Sequence, residues 1–301
     1  MFNQSDTVLA LLQCLREQTF KGDIEVLLCD DGSDSEHLMC INNCIKKSDS
    51  LDVRLIWQPN LGFRLGRARN NGIRCAQGDI IIFIDGDMVF SPAFIDHHAR
   101  QHTTAPLMVF GTRRFVYLSV EAIQRLQDLS ADEMLSQISG RVVLSDLVNQ
   151  QVAIRSSAPW AACIGCNLSI TRQREAHFNE RFVGWGLEDW EFSLRLFKDL
   201  GYSLTLSTDL AAYHVAAEPC VRGKLTSHEQ IVQFLTNYLE LRRTYPGVDL
   251  WPVTRAFCSF ELDSHSDRWI SAMLPNNPLS LAEETSRVEQ WFARHGSVAS
   301  A

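Results

Sequence analysis

Long hydrophobic runs are missing from these 301 residues. No stretch approaches the ~18 consecutive apolar residues of a membrane-spanning helix, so none is expected. The N-terminus has no basic segment and does not read as a signal peptide. Surplus positive charge is missing as well. The 28 Lys and Arg stand against 36 Asp and Glu, for a net charge of −8. A nucleic-acid partner therefore has no electrostatic support. The nine cysteines are scattered and odd in number, which suits a reducing compartment better than a disulfide framework. The expected location is cytoplasmic, with room for a peripheral contact with the inner membrane face. No internal repeat is seen. What remains is 46% hydrophobic and 21% charged, ordinary for a globular chain large enough to bury a full core.

The most informative stretch is Asp79 to Val89. Ile80 to Ile84 is an unbroken apolar run rich in β-branched residues, the pattern of a strand buried on both faces. It stops at Asp85-Gly86-Asp87. Two carboxylates at the C-terminal end of a parallel strand lie where open α/β sheets bind ligands. A hard divalent cation takes such oxygens and keeps other positions for water and phosphate. An acidic chain that binds a diphosphate needs such a cation, or local Arg, to offset repulsion. The stretch therefore reads as a metal–diphosphate site.

Around it the first ninety residues alternate helix and strand, which predicts a parallel central sheet with covering helices. Val8, Leu11, Leu12 and Leu15 mark a helix over 5–19, with Ser5 or Asp6 as its cap. Ile24 to Cys29 is a strand ending in a second acidic cluster, Asp30-Asp31-Gly32-Ser33-Asp34. Val53 to Trp57 is a third strand, and Arg64 to Cys75 a helix carrying Arg64, Arg67, Arg69 and Arg74. Residues 92–102 read as a short helix, 107–112 and 114–117 as strands, and 119–155 as helical. Cys163 to Thr171 is strand-like. The stretch Phe182-Val-Gly-Trp-Gly-Leu-Glu-Asp-Trp-Glu191 is a loop entering a helix. Residues 202–207 and 211–215 form strands, the second presenting His214. From about Pro219 onward the pattern is helical. The domain expectation is 1–218, with a nucleotide-sugar half over 1–112, a helical insertion over 113–158 and an acceptor half over 159–218, followed by a helical extension over 219–301. A sheet of this kind opens with a strand, yet the pattern here opens with a helix. Either a segment ahead of Met1 or another part of the chain fills the first strand's place.

Several of these stretches, taken in order, resemble family-two glycosyltransferases with the GT-A fold. The matching stretches are Phe2-Asn-Gln-Ser-Asp6, Asp30-Asp-Gly-Ser33, Asn60-x-Gly62, Arg67-Ala-Arg-Asn-Asn-Gly72, Asp85-Gly-Asp87, Gly184-Trp-Gly-x-Glu-Asp189 and Tyr213-His214. The Gly-Trp-Gly-x-Glu-Asp stretch is similar to chondroitin-polymerase-like and galactosyltransferase-like members. The resemblance implies a Rossmann-like, mostly parallel sheet flanked by helices. It also implies inverting, metal-dependent transfer of a hexosyl group from a nucleotide-sugar, a UDP-sugar above all, to an acceptor hydroxyl on a glycan or other molecule. The cofactor would be Mn²⁺ or Mg²⁺.

Residue by residue, the resemblance has Asp87 ligate the metal and Asp85 contact metal or ribose. Asp31, with Asp30 beside it, would accept from a uracil N–H, and the Phe2 ring would cover the base. Arg64 or Arg69 would reach base or diphosphate. Asp189 would be the general base, with Glu188 positioning the acceptor and Trp185 and Gly186 contacting it. His214 would be a metal ligand. Each has a plainer reading. Asp and Gly are common in turns after strands. Acids such as Glu188, Asp189 and Glu191 suit a helix N-terminus. A lone histidine is more often structural, and a core Trp is a serious rival to an acceptor contact. His97, His98 and His102 read as a solvated helix face. Cys163 and Cys166 have no second pair at zinc spacing and read as an ordinary buried strand with a Gly near the acceptor site.

Two alternatives come from other classes. Phe83 to Val89 also fits the first motif of haloacid-dehalogenase-like phosphatases, with Asp85 as nucleophile. A non-catalytic nucleotide-sugar or glycan-binding module is the other.

Overall fold

The computed structural model describes residues 1–46, 51–103, 106–218, 228–248, 250, 260–263, 268–271 and 290. The chain divides into two compact units. The first is Met1–Arg181 with Glu188–Cys220, and the second is Phe182–Leu187 with Val221–Ala301.

The first unit opens with α1 (Ser5–Arg16), β1 (Glu25–Asp30), α2 (Ser35–Lys46), β2 (Asp52–Trp57) and α3 (Leu65–Cys75). β3 (Ile80–Ile84), β4 (Met88–Phe90), α4 (Phe94–Gln101) and the long β5 (Leu107–Leu118) follow. Then come α5 (Val120–Leu126), α6 (Ala131–Ile138), β6 (Val142–Ser145), α7 (Leu147–Ile154), β7 (Asn167–Thr171), α8 (Glu188–Lys198) and β8 (Ser203–Ala217).

The apolar periodicity of α1 works as the sequence implies, with Val8, Leu11, Leu12 and Leu15 buried along one stripe. Its cap position is Gln4, with no capping bond from the side chain, so neither Ser5 nor Asp6 serves. Ser5 instead bonds His37 at 2.8 Å.

β1 and β2 form a parallel pair. The second sheet runs β3-β7-β5-β8-β4, with β6 joined to β5. Within it β5–β8 is parallel, whereas β3–β7, β5–β7, β4–β8 and β5–β6 are antiparallel. The α/β class stands, but the mostly parallel sheet is corrected to a mixed one. Helix–strand alternation specifies that a helix intervenes, not the direction in which the next strand enters a sheet. β3 ends the path, with β7 as its only strand partner among the described residues. Beside β1, Met1 donates its amine to the Cys29 carbonyl at 2.8 Å and accepts from the Asp31 N–H at 2.9 Å. Those are the two bonds of a parallel bridge.

The larger sheet is covered on both faces. Leu107, Val109 and Val116 of β5 join α1, α4, α5 and α6 in one core. Met108 and Phe110 join Phe83, Leu168, Ile170 and Phe192 in the other. The helical insertion is less uniform than expected. Residues 113–118 complete β5, and β6 interrupts the helices. The segment 163–166 precedes β7 rather than forming part of it.

His98 overturns the solvated-face reading of α4. It is 0% exposed, and its ring nitrogens lie 2.9 Å from Ser169 Oγ and 3.0 Å from Asn167 Oδ1. His102 lies 2.7 Å from Ser169 Oγ. The polar face of β7, alternating Asn167, Ser169 and Thr171, meets that side of α4.

In the second unit, α9 (His228–Thr244) agrees with a helical extension. β9 (Phe260–Asp263) and β10 (Arg268–Ser271) do not, since they pair antiparallel. No helix among the described residues is long and apolar enough to cross a membrane.

Candidate active site

The site grows from the end of β3. The turn at Asp85-Gly86-Asp87 leads into β4, and β4 pairs with β8 so that Met88 lies opposite His214. The Val215 N–H donates to the Asp87 carbonyl at 2.9 Å, which fixes β8 beside the turn. His214 Nε2 then stands 2.7 Å from Asp87 Oδ1. Ligand atoms of Asp85, Asp87 and His214 all lie within 4.8 Å of one another. Two carboxylates and an imidazole at that spacing fit Mn²⁺ or Mg²⁺ in the chemistry of their donors.

The N-terminal loop adds Gln4, whose Nε2 donates to Asp87 Oδ2 at 2.9 Å. Its place in the Phe2–Asp6 stretch was the only signal for it. Phe2 is 46% exposed on the same loop. The loop is tied to the second acidic cluster, since the Asn3 N–H donates to Ser33 Oγ at 2.8 Å and the Asp34 N–H to Asn3 Oδ1 at 3.0 Å.

The two aspartates of that cluster differ. Asp30 is fully buried and accepts from the Gly32 and Ser33 N–H groups and the Ser33 hydroxyl. Those bonds stay inside its own turn, so Asp30 shapes the loop. Asp31 accepts from Gln58 Nε2 at 2.6 Å and from the Arg64 N–H at 2.7 Å. Gln58 in turn accepts from Asn71 Nδ2 at 2.8 Å. Gln58 and Asn71 escaped sequence reasoning because an amide in a loop or on a helix has no distinctive pattern. The Arg64 guanidinium bonds the Pro59 carbonyl.

Arg69 links the halves of the site. It is 9% exposed, and α3 aims it at Asp85, 3.0 Å from Nη2 to Oδ1. The same nitrogen donates to the Gly165 carbonyl at 3.2 Å, and Nη1 lies 4.0 Å from Glu188 Oε1. Burial alone would lower the guanidinium pKa. Asp85, then Glu188 and Asp189, more than offset this and hold it above its ordinary value. A Cβ at Gly165 would stand 2.7 Å from Arg69 Nη1, so a larger residue there would push the guanidinium aside.

The Gly165 N–H donates to Asp189 Oδ2 at 3.1 Å, and the Trp190 N–H to Oδ1 at 2.9 Å. The second bond is the helix-terminus role of the plainer reading; the first is not. Burial, then the charge of Asp189, pushes the Glu188 carboxyl up to about 7, with Arg69 opposing. Cys163 and Cys166 are buried free thiols, and burial raises both.

Asp87, Asp85, His214, Arg69, Glu188 and Asp189 thus form one chain of contacts, with Asp31 tied to it through the N-terminal loop. Trp185 and Gly186 belong to the second unit. There the Trp185 N–H donates to Gln233 Oε1 at 2.8 Å, and Asn237 Nδ2 donates to the Gly186 carbonyl at 2.7 Å.

Comparison with known proteins gives this geometry a family. The model for "N-terminal domain of galactosyltransferase" matches residues 148–213, which include Gly184 to Asp189. A hyaluronan synthase of Pasteurella multocida is 27% identical over 232 residues, covering 71% of this chain and 24% of the relative. A chondroitin synthase of Escherichia coli is 24% identical over 235 residues, covering 71% of this chain and 33% of the relative. The chain therefore spans a third or less of the length of these relatives. Among solved structures, the mannosyltransferase PcManGT of Pyrobaculum calidifontis, in complex with GDP-Man and Mn²⁺, superposes with a TM-score of 0.55. The identity is 15%, over 99% of this chain and 74% of that one. TarS of S. aureus, in complex with UDP, gives 0.54 at 16% identity, over 86% of this chain and 69% of that one. These likenesses show the GT-A fold. The model for "Glycosyl transferase family 2" matches residues 1–159. That span holds the Asp85–Asp87 turn, so the phosphatase alternative is set aside. The chain belongs to glycosyl transferase family 2.

Proposed function

We propose that the chain moves a sugar from a nucleotide-sugar, a UDP-sugar, to an acceptor hydroxyl with inversion at the anomeric carbon. The observation that carries this is the convergence of Asp85, Asp87 and His214 on ligand atoms within 4.8 Å, with Arg69 tying Asp85 to Glu188. The UDP and GDP-Man bound by the structural neighbours support a nucleotide donor. The synthase names of the relatives support a glycan acceptor. The free thiols of the described cysteines support a reducing, cytoplasmic setting.

Asp31 accepts from the uracil N–H, and the exposed Phe2 ring covers the base. Asp30 contributes by shaping the loop that presents Asp31. Asp87, His214 and Asp85 would hold Mn²⁺ or Mg²⁺, which when bound neutralises charge on the leaving diphosphate. Arg64 turns its guanidinium to the Pro59 carbonyl and gives its backbone N–H to Asp31, so it serves the base by fixing Asp31.

Asp189 is the general base. Its two backbone donors, Gly165 and Trp190, hold the carboxylate in one orientation. It takes the acceptor hydroxyl's proton as that oxygen bonds the anomeric carbon, and the bond to the diphosphate oxygen breaks with its electron pair leaving on phosphate. Attack opposite the leaving group inverts the centre. Glu188 titrates near neutrality, so it donates to or accepts from an acceptor hydroxyl and positions it. Trp185 supplies a ring for the acceptor sugar, and Gly186 the turn that presents it.

The test is a donor screen with purified chain, Mn²⁺ and a panel of nucleotide-sugars, read as released nucleotide. Asp189→Asn is expected to abolish transfer while donor binding by calorimetry stays near wild type. Transfer at the wild-type rate by that variant rules out the base assignment. Donor binding with no transfer under any pairing would favour the non-catalytic module.

A further inference from the structure

The tail after residue 218 carries no motif in the sequence, yet α9 lies directly on the Gly184–Leu187 loop. We propose that Gln233 and Asn237 are positioning residues that hold this loop, and with it Trp185, in its acceptor-binding form. This rests on the reading of Trp185 as an acceptor contact.

The loop is one that a free chain would leave. Gly184, Gly186 and Leu187 have φ of +79°, +98° and +72°, and Leu187 has a Cβ that disfavours this region. Two amide side chains on one face of α9, four residues apart, supply what holds it. Gln233 Oε1 accepts from the Trp185 N–H at 2.8 Å, and Asn237 Nδ2 donates to the Gly186 carbonyl at 2.7 Å. Asn237 is 1% exposed, so its bond is shielded from competing water. The backbone presses on the same face. A Cβ at Gly184 would meet Gln233 Cγ at 2.6 Å, and one at Gly186 would meet Phe234 Cδ2 at 2.9 Å. The Trp185 ring stands against Phe234, with centroids 6.0 Å apart. The loop continues without a break into Glu188 and Asp189. Within the second unit its backbone therefore sets the Trp185 ring.

The bonds have opposite polarity, which makes the proposal testable. Gln233 acts as an acceptor, so Gln233→Glu keeps the bond and Gln233→Leu removes it. Glu229, which accepts from Gln233 Nε2 at 3.0 Å, is exposed and can turn into water in the Glu variant.

The experiment uses the full chain. Acceptor KM, donor KM and kcat are measured together with hydrogen exchange of the Trp185 amide without substrates. In Gln233→Leu, acceptor KM is expected to rise about five- to tenfold, the scale of one lost neutral hydrogen bond, with donor KM unchanged. Trp185 exchange quickens by a similar factor, and Gln233→Glu restores both. Asn237→Ser, which is less able to bridge to Gly186, is expected to repeat the pattern. An unchanged acceptor KM in the Leu variant, or equal rises in both KM values, overturns the proposal. Faster exchange in the Leu variant, from a wild-type chain that transfers to no acceptor, overturns it through the reading on which it rests. Exchange that does not change shows instead that the clamp itself is wrong.

Discussion

Two polar clusters in the first unit are each built around a histidine, one exposed to chemistry and one sealed from it. His214 stands 2.7 Å from the Asp87 carboxylate at the mouth of β3. His98, fully buried, bonds the neutral amide of Asn167 and hydroxyl of Ser169 and packs edge-on against Phe94. Ser169 and Asn167 lie on β7, the strand that pairs with β3, so the clusters share a scaffold. The first gathers three carboxylates around Arg69, whereas the second contains no charge. Buried charge is costly unless paired, and of these two clusters only the first bears that cost, where a charged ligand would use it.

The comparison can be broken most severely at Asp87. Asp87→Ala is expected to lower kcat/KM for transfer by at least about 10³-fold, several kcal/mol of lost charge stabilisation, while the urea midpoint barely moves. A variant that transfers normally would make this cluster as structural as the other.

His98→Leu is the reverse test. It strips partners from Asn167 and Ser169 in a dry interior, for an expected loss of about 2–4 kcal/mol in urea unfolding. Turnover per folded molecule is expected to stay within about twofold. A lower turnover at unchanged stability would tie the sealed cluster to catalysis.

Acidity separates the two by sign. Burial holds His98 down to about 3 and His102 down to about 4. Between there and the ordinary histidine value of about 6.5, the unfolded chain takes up protons that the native one refuses. Stability is therefore full above that value and lost as pH falls toward 3, with a slope of up to about 1.4 kcal/mol per pH unit for His98. Glu188, raised to about 7, works the other way. Its contribution is full below its unfolded pKa and lost as pH rises through 7. His98→Leu should flatten the acid limb and Glu188→Gln the neutral one, read as urea midpoints against pH. If neither limb moves, the assignment of the slopes to these groups fails.

The smallest effect sharpens rather than breaks the comparison. Gln4→Ala frees Asp87 from the amide that orients it. Manganese affinity, followed by electron paramagnetic resonance, is expected to fall about tenfold. Affinity at the wild-type level would mean that the strand pairing alone orients Asp87.

Much of the donor half was legible in the chain. The run Ile80 to Ile84 and the acids that end it are local patterns, and so are the amphipathic stripe of α1 and the acidic turn after β1. The readings that failed have a common cause. β5 and β8 each appeared as two short strands and are single long ones, because a charged residue in mid-strand, Arg113 in one and Asp209 in the other, reads as a break. His98 looked solvated because its partners on β7 lie about seventy residues away. Arg69 is expected, with Arg64, at base or diphosphate, but its pairing with Asp85 leaves no mark in the sequence. Its burial depends on Gly165, nearly a hundred residues further on, and a missing side chain leaves no mark in periodicity.

The order of residues alone therefore determined most helices and strands of the donor half, where acids cluster and which family the chain resembles, because those properties are written in local patterns. Which carboxylates share a site, which histidine is sealed away and which helix grips the Gly184–Leu187 loop were decided by folding. Each depends on strand pairings and close approaches between distant segments, such as Met88 opposite His214. Side-chain chemistry gains its meaning only after burial has set which charges can be paired.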